Sequence, residues 1–281
     1  MDAPAGIAAS GSTEMDCYIA RLSQQVLLKI FSYLPMFSRR EQEDCTPVQV
    51  PTGIAIYQVS QLWRRVILEA PELWTTIPLH MPHWAVCALL YSRDAAISVH
   101  VDFGRVRHSA AYRKTVKHAL HHLHRVRELS FTWSAESLRA SEFTLNPSYV
   151  IHVQEITEML NQFEAPLLKS FIFADLPVYM QGLPDDIFRE GPLPRLRHLC
   201  LSHVDILTTS ALFRAPLDSL QLTACAVVTE DEDEDEDTDE EEEEEGEHDP
   251  LFLDSRSHLE NILDVLRALP TLRHSQYAIC G

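Results

Sequence analysis

One spacing, apolar-x-x-apolar-x-apolar, recurs through the second half of the chain and limits its fold more than any other feature. It runs through Val126, Leu129 and Phe131; Leu168, Phe171 and Phe173; Leu196, Leu199 and Leu201; and Leu217, Leu220 and Leu222, with a weaker copy at Leu272, Ser275 and Tyr277. The last two positions of each copy are alternate residues, as in a strand that buries one face. Between copies lie stretches of helical periodicity: 149–163, with Ile156, Met159, Leu160 and Phe163 on one face; short ones near 185–189 and 209–213; and 257–269, with Leu259, Ile262, Leu263 and Leu266. Pro166, Pro194, Pro216 and Pro270 each stand just before a strand copy, where a proline ends the preceding helix. Strand, turn and helix in repetition predict a solenoid. An ordinary α/β domain with buried strands is the alternative.

Upstream of the first copy the same texture begins. Trp84–Tyr91 reads as a helix. Ile97, Val99, Val101 and Phe103 alternate with Ser98, His100 and Asp102, which predicts a strand. Ser109 is placed to cap a helix carrying Tyr112, Val116, Ala119, Leu120 and Leu123.

The stretch from Leu22 to Trp74 differs. Leu22, Val26, Leu27, Ile30, Phe31 and Leu34 form one apolar helical stripe, which Pro35 ends. Ile56, Val59, Trp63, Val66, Ile67 and Ala70 form a second, on a helix capped by Thr52 and closed by Pro71. Two such helices carry more apolar surface than they bury against each other, so the excess calls for the rest of the chain or for a partner. The connector 36–53 is long for packed helices and reads as an inserted loop.

This stretch resembles the F-box, in the F-box-like form that precedes degenerate leucine-rich repeats in fungal families. Leu22, Val26, Leu27, Ile30, Phe31 and Leu34 follow the first part of the family pattern; Val59, Ser60, Trp63 and Arg64 follow its V-[CS]-x-x-W-R; Leu73 and Trp74 follow its L-W. Ser23 stands where the family has proline at the helix start, and Gln25 where it has glutamate. Downstream, Leu217, Leu220, Leu222, Cys225 and Val227 resemble the leucine-rich repeat L-x-x-L-x-L-x-x-C-x-L, with valine last. The resemblance implies an α+β chain: a small helical F-box module at 21–78, then an irregular leucine-rich-repeat-like α/β solenoid at 79–281. It also implies a non-catalytic substrate receptor of a Skp–cullin–F-box ubiquitin ligase, cytoplasmic or nuclear. Leu22, Val26, Leu27, Ile30, Phe31, Leu34, Val59 and Trp63 would meet a Skp-type adaptor, and through it a cullin. The repeats would bind a protein substrate. Phe31 and Trp63 are the expected hot spots; in a second arrangement Trp63 is core, and Leu27 and Ile30 make the contact. A scaffold that uses the same folds outside a ligase is the alternative function.

Charge and chemistry exclude little and suggest little else. Of 42 acidic residues, 16 fall between Glu230 and Glu247, leaving 26 against 23 basic, so the net charge of −19 belongs to one run. That run, within 230–249, reads as a disordered insertion in a surface loop, as does the small and polar segment 1–20 at the N-terminus. Nothing resembles a basic nucleic-acid footprint, a secretory signal or a membrane span, so neither nucleic acid nor membrane is an expected partner. The end at Gly281, without a polar capping helix, suggests a shortened or unusual terminus. The six cysteines lack paired spacing and read as reduced thiols. His118, His121, His122 and His124 cluster on or near a helix, where a polar face is expected rather than a metal site, and no cofactor or metal is expected. Asp185 and Asp186 suit a helix N-terminus. Without a nucleophile elbow, phosphate loop or H-E-x-x-H, an enzyme is not expected.

Overall fold

The structure, a computed structural model, describes residues 22–34, 36–37, 52–103, 109–132, 147–174, 187–188, 191–202, 205–207, 210–223, 225–228, 263, 267, 269 and 274–278. The N-terminal segment 1–20, Pro35, most of the 36–53 connector, the Asp185–Asp186 pair, most of 257–269 and the acidic run lie outside these residues.

Three short helices open the chain: α1 (Gln24–Phe31), α2 (Thr52–Val59) and α3 (Gln61–Glu69). The expected second helix is therefore two. Ser60 is extended (φ −155°, ψ 164°), and its Oγ accepts the Trp63 N–H at 3.2 Å, so a hydroxyl suited to capping ends one helix and starts the next. Ser23 does the same for α1. It is the N-cap, not the first helical residue, and its Oγ accepts from the Val26 N–H at 3.4 Å. Serine at this position thus gives α1 a side-chain cap. Gly53 in α2 lies against the backbone of Met36: an added Cβ would sit 2.2 Å from the Met36 Cα, so only glycine fits there.

After a 3₁₀ turn at Pro71–Trp74 come β1 (Thr76–Ile77), α4 (Pro82–Tyr91), β2 (Ile97–Asp102), α5 (Ala110–Leu120), β3 (Val126–Thr132), α6 (Pro147–Gln162), β4 (Ser170–Phe173), β5 (His198–Ser202), β6 (Asp205–Leu207), β7 (Ser219–Thr223), β8 (Ala226–Val228) and β9 (His274–Ala278). Ser109 caps α5 as expected, accepting the Tyr112 N–H at 3.2 Å. Residues 210–214 make a turn, not the short helix expected there; Phe213 N–H donates to the Ser210 carbonyl at 3.1 Å.

A seven-stranded sheet runs β1-β2-β3-β4-β5-β7-β9, every pair parallel, its strands lying in the order in which the chain supplies them; β6 and β8 form a separate parallel pair. The fold is an α/β mixture around this parallel sheet. The repeated spacing explains the register. Val99, Leu129, Phe171, Leu199 and Leu220 pair in one row, and Val101, Phe131, Phe173, Leu201 and Leu222 in the next. All ten are buried. The fifth copy continues both rows with Ser275 and Tyr277. Along this buried face aromatic rings meet, Phe103 stacking on Phe131 at 5.4 Å and Phe131 meeting Phe173 at 5.8 Å. Helix α4 packs on α5, and α5 on α6, in chain order.

The helical module and the sheet share one core, continuous from Leu27 to Leu269. Trp74 joins them. It is fully buried, donates Nε1–H to the Ile67 carbonyl of α3 at 2.9 Å, and meets Tyr91 of α4 with ring centroids 5.0 Å apart. Two residues later β1 pairs with β2, so the module enters the sheet as its first strand.

Candidate docking site

The apolar stripe of α1 divides between inside and outside. Leu27 and Phe31 point inward at 0% and 1% exposure, whereas Val26 and Ile30, each one residue earlier, stay 45% and 41% exposed. Leu34 continues the outward side beyond the helix end, with Tyr33 beside it. Leu22 is half-buried. On the second stripe Ile56, Val66 and Ile67 are core; Val59 is 60% exposed, and Leu62, which follows the Ser60 cap, is also exposed. Trp63 is half-buried, its ring edge-on to Phe31 at 5.0 Å.

This corrects the expected contact set. Of the eight residues, Leu27 and Phe31 belong to the core, because α1 must bury one stripe against α3 to hold its place. Phe31 is therefore not a surface hot spot. Trp63 packs between the helices, which agrees with the second arrangement for that residue, but the outward residue of the Leu27–Ile30 pair is Ile30 alone. What faces outward is Val26, Ile30, Leu34 and Val59, joined by Tyr33 and Leu62, which lie outside both apolar stripes of the sequence. Polar contacts fix the frame around them: Gln24 Nε2–H donates to Glu69 Oε2 at 3.3 Å, and the Arg64 guanidinium lies 5.0 Å from the Tyr57 ring centre.

A second surface was hidden in the variable positions of the repeats. Opposite the buried rows, Ser98, Glu128, Ser170, His198 and Ser219 share one register row, and His100, Ser130, Ile172, Cys200 and Gln221 the next. Apart from Ile172 and Cys200, this is the polar face. Ser98 Oγ–H donates to Glu128 Oε2 at 3.2 Å, and His100 Nδ1 lies 2.6 Å from Ser130 Oγ. Its signal in the sequence is only that these positions alternate with the apolar ones.

The histidines form a loose chain: rings of His118 and His122 are 5.8 Å apart, and those of His122 and His124 6.1 Å, while His121 turns to Phe163. Burial, and next the Arg125 guanidinium, then His118, His124 and His121, hold His122 below the ordinary imidazole range. Among the described residues no group of three or more His, Cys, Asp or Glu is placed to hold a metal ion. Burial pushes the Cys87 thiol up, opposite to what a reactive cysteine needs, and Cys225 packs half-buried against the core. Among the described residues two open clefts are seen: one of about 270 Å³ is lined by Gln61, Arg64, Arg65, Leu68 and Glu69, and one of about 340 Å³ includes Leu193, Pro194 and Arg214. Neither lining sets a hydroxyl or thiol beside an imidazole.

No family model, curated protein or solved structure matches this chain. Among the described residues no helix is long and apolar enough to cross a membrane.

Proposed function

We propose that this chain is a non-catalytic substrate receptor of a Skp–cullin–F-box type ubiquitin ligase. In this reading α1 to α3 are the F-box, docking on a Skp-type adaptor and through it on a cullin. The strands that follow are an irregular leucine-rich-repeat-like solenoid, whose polar face selects a protein substrate in the cytoplasm or nucleus. One observation carries the reading: the outward half of the α1 stripe, Val26, Ile30 and Leu34, is left uncovered while its inward half is locked into the core. An apolar helix ridge held rigidly and unpartnered is what a helix-in-groove contact uses. The solenoid part rests on the strand order, since a parallel sheet in strict chain order is what stacking one repeat on the last produces. The receptor makes and breaks no bond. It contributes proximity, holding a substrate lysine near the ubiquitin-loaded enzyme.

Co-expression with a Skp-type adaptor tests it. Wild type is expected to co-purify with the adaptor, and the double variant Val26→Asp, Ile30→Asp to lose it while melting like wild type, since both positions are exposed. Leu27→Ala is the contrast: it removes a fully buried side chain and costs about 2–5 kcal/mol of stability. A folded wild-type chain that fails to bind the adaptor refutes the receptor reading. Such a chain that still captures protein partners through the sheet would be the scaffold outside a ligase.

A further inference from the structure

Each strand copy opens with a residue in an equivalent place. The Lys169 N–H donates to the Arg127 carbonyl at 2.7 Å, the Arg197 N–H to the Lys169 carbonyl at 2.9 Å, and the Asp218 N–H to the Arg197 carbonyl at 2.8 Å. Arg127, Lys169 and Arg197 therefore stand side by side at the strand-start end of three neighbouring strands, about 5 Å from one to the next. Arg127 and Lys169 are exposed and Arg197 half-exposed. Two more exposed cations adjoin them: Arg195, two residues before Arg197, and Arg214, two residues before Pro216, whose carbonyl accepts from Arg197 Nη1 at 2.8 Å.

This row is poorly neutralised. Among the described residues Arg127 pairs only with its chain neighbour Glu128, at 4.0 Å, and Arg197 with Asp218 at 3.7 Å. Among the described residues Lys169, Arg195 and Arg214 make no ion pair. The chain itself carries the complementary charge, 16 acidic residues in the 18 positions from Glu230 to Glu247. That run starts two residues after β8 ends at Val228, and β8 follows β7, the neighbour of β5. Eighteen extended residues reach up to about 60 Å, whereas the row is only about 10 Å across. Tethering supplies a local concentration in the millimolar range. Single surface ion pairs contribute little each, but a dense run meeting a row of cations forms many at once.

We propose that the row Arg127–Lys169–Arg197, with Arg195 and Arg214, is the docking strip for the chain's own acidic run, residues 230–247. The contact is electrostatic and salt-sensitive, and it stands independently of the adaptor-docking reading.

The test uses the full chain with every Asp and Glu of 230–247 changed to Asn or Gln, and a fluorescent synthetic peptide of the native 230–247 sequence as probe. By fluorescence anisotropy at about 50 mM salt this neutral-run protein is expected to bind the peptide, and to bind it more weakly at about 200 mM. Adding Arg127→Gln and Lys169→Gln is expected to weaken binding at least about fivefold, and neither side chain has a buried partner whose loss would unfold the protein. Wild type is expected to bind the peptide at least about tenfold more weakly than the neutral-run protein, because its own run holds the strip at high local concentration. A second variant, with the run replaced by Gly and Ser at equal length, must repeat the result. No binding to either variant overturns the proposal, as does binding indifferent to Arg127→Gln and Lys169→Gln. Equal binding by wild type and the neutral-run protein also overturns it, and shows a strip open to an acidic partner in trans.

Discussion

Arg125 is the residue whose loss tests the architecture most directly. It is 5% exposed and lies in the 3₁₀ turn just before β3, yet its guanidinium reaches back to the end of α4. Nη1–H donates to Ser92 Oγ at 2.8 Å and to the Arg93 carbonyl, and Nη2–H donates to the Leu89 carbonyl at 2.9 Å. A cation at a helix C-terminus also meets the negative end of the macrodipole. The cap holds Arg93 in the left-handed region, at φ 49°, which a side chain disfavours. Arg125→Met keeps most of the volume and removes every donor. Hydrogen bonds from a charged guanidinium contribute about 1.5–3 kcal/mol each. Against three of them stand the several kcal/mol recovered by no longer burying a guanidinium, and the bond that Ser92 Oγ–H keeps to the Leu89 carbonyl at 3.2 Å. The net expectation is a loss of about 2–4 kcal/mol, or about 5–15 °C in melting temperature for a chain of this size. Circular dichroism melts measure it. Hydrogen exchange adds a local readout, with faster exchange expected at the amides of Ser92 and Ala95, which close the α4 terminus. Arg127→Met, exposed and two residues away, is the control and should shift stability by no more than about 0.5 kcal/mol. If Arg125→Met matches that control, the guanidinium is not the cap, and the coupling of α4 to β3 described above is wrong.

Two further outcomes follow from the same packing. Gly53→Ala should destabilise by more than the gain in helix propensity, since its Cβ would overlap the Met36 backbone; a melt at or above wild type would show that the Met36 segment moves aside. Because His122 has a lowered pKa in the fold, the unfolded chain takes up its proton first: stability is full above about pH 6.5 and falls as pH drops through and below that value, and His122→Gln should flatten this acid-side slope in denaturant titrations.

The strands were legible because their signal is local and doubled: two apolar residues at period two, preceded by a third and punctuated by proline. All four strong copies became strands with buried rows in one register. The helix ends were less legible, because one serine decides them. The second stripe has unbroken helical periodicity through Ser60, and only the competition of its hydroxyl for the Trp63 N–H divides it. The residues that α1 turns outward were the least legible. Val26 and Leu27 are adjacent and alike in hydrophobicity, and a stripe wide enough to include both cannot say which edge meets α3. That depends on where Trp63 places its ring against Phe31, a contact between residues far apart in the chain.

The shared core changes what the helical module can be. Had α1 to α3 buried only one another, they would be a small unit of marginal stability on a linker. Instead Trp74 bonds to α3, packs against α4, and stands two residues from a strand that begins the sheet. Three short helices of eight or nine residues, each too short to persist alone, are thus held by the sheet's stability. The outward ridge of Val26 and Ile30 inherits that rigidity, so a partner that binds it loses little entropy in ordering it. The same continuity means that the outward ridge and the polar face of the sheet are held in one fixed relation, through the fully buried Trp74 and through the Tyr57–Trp84 ring contact between α2 and α4 at 6.4 Å.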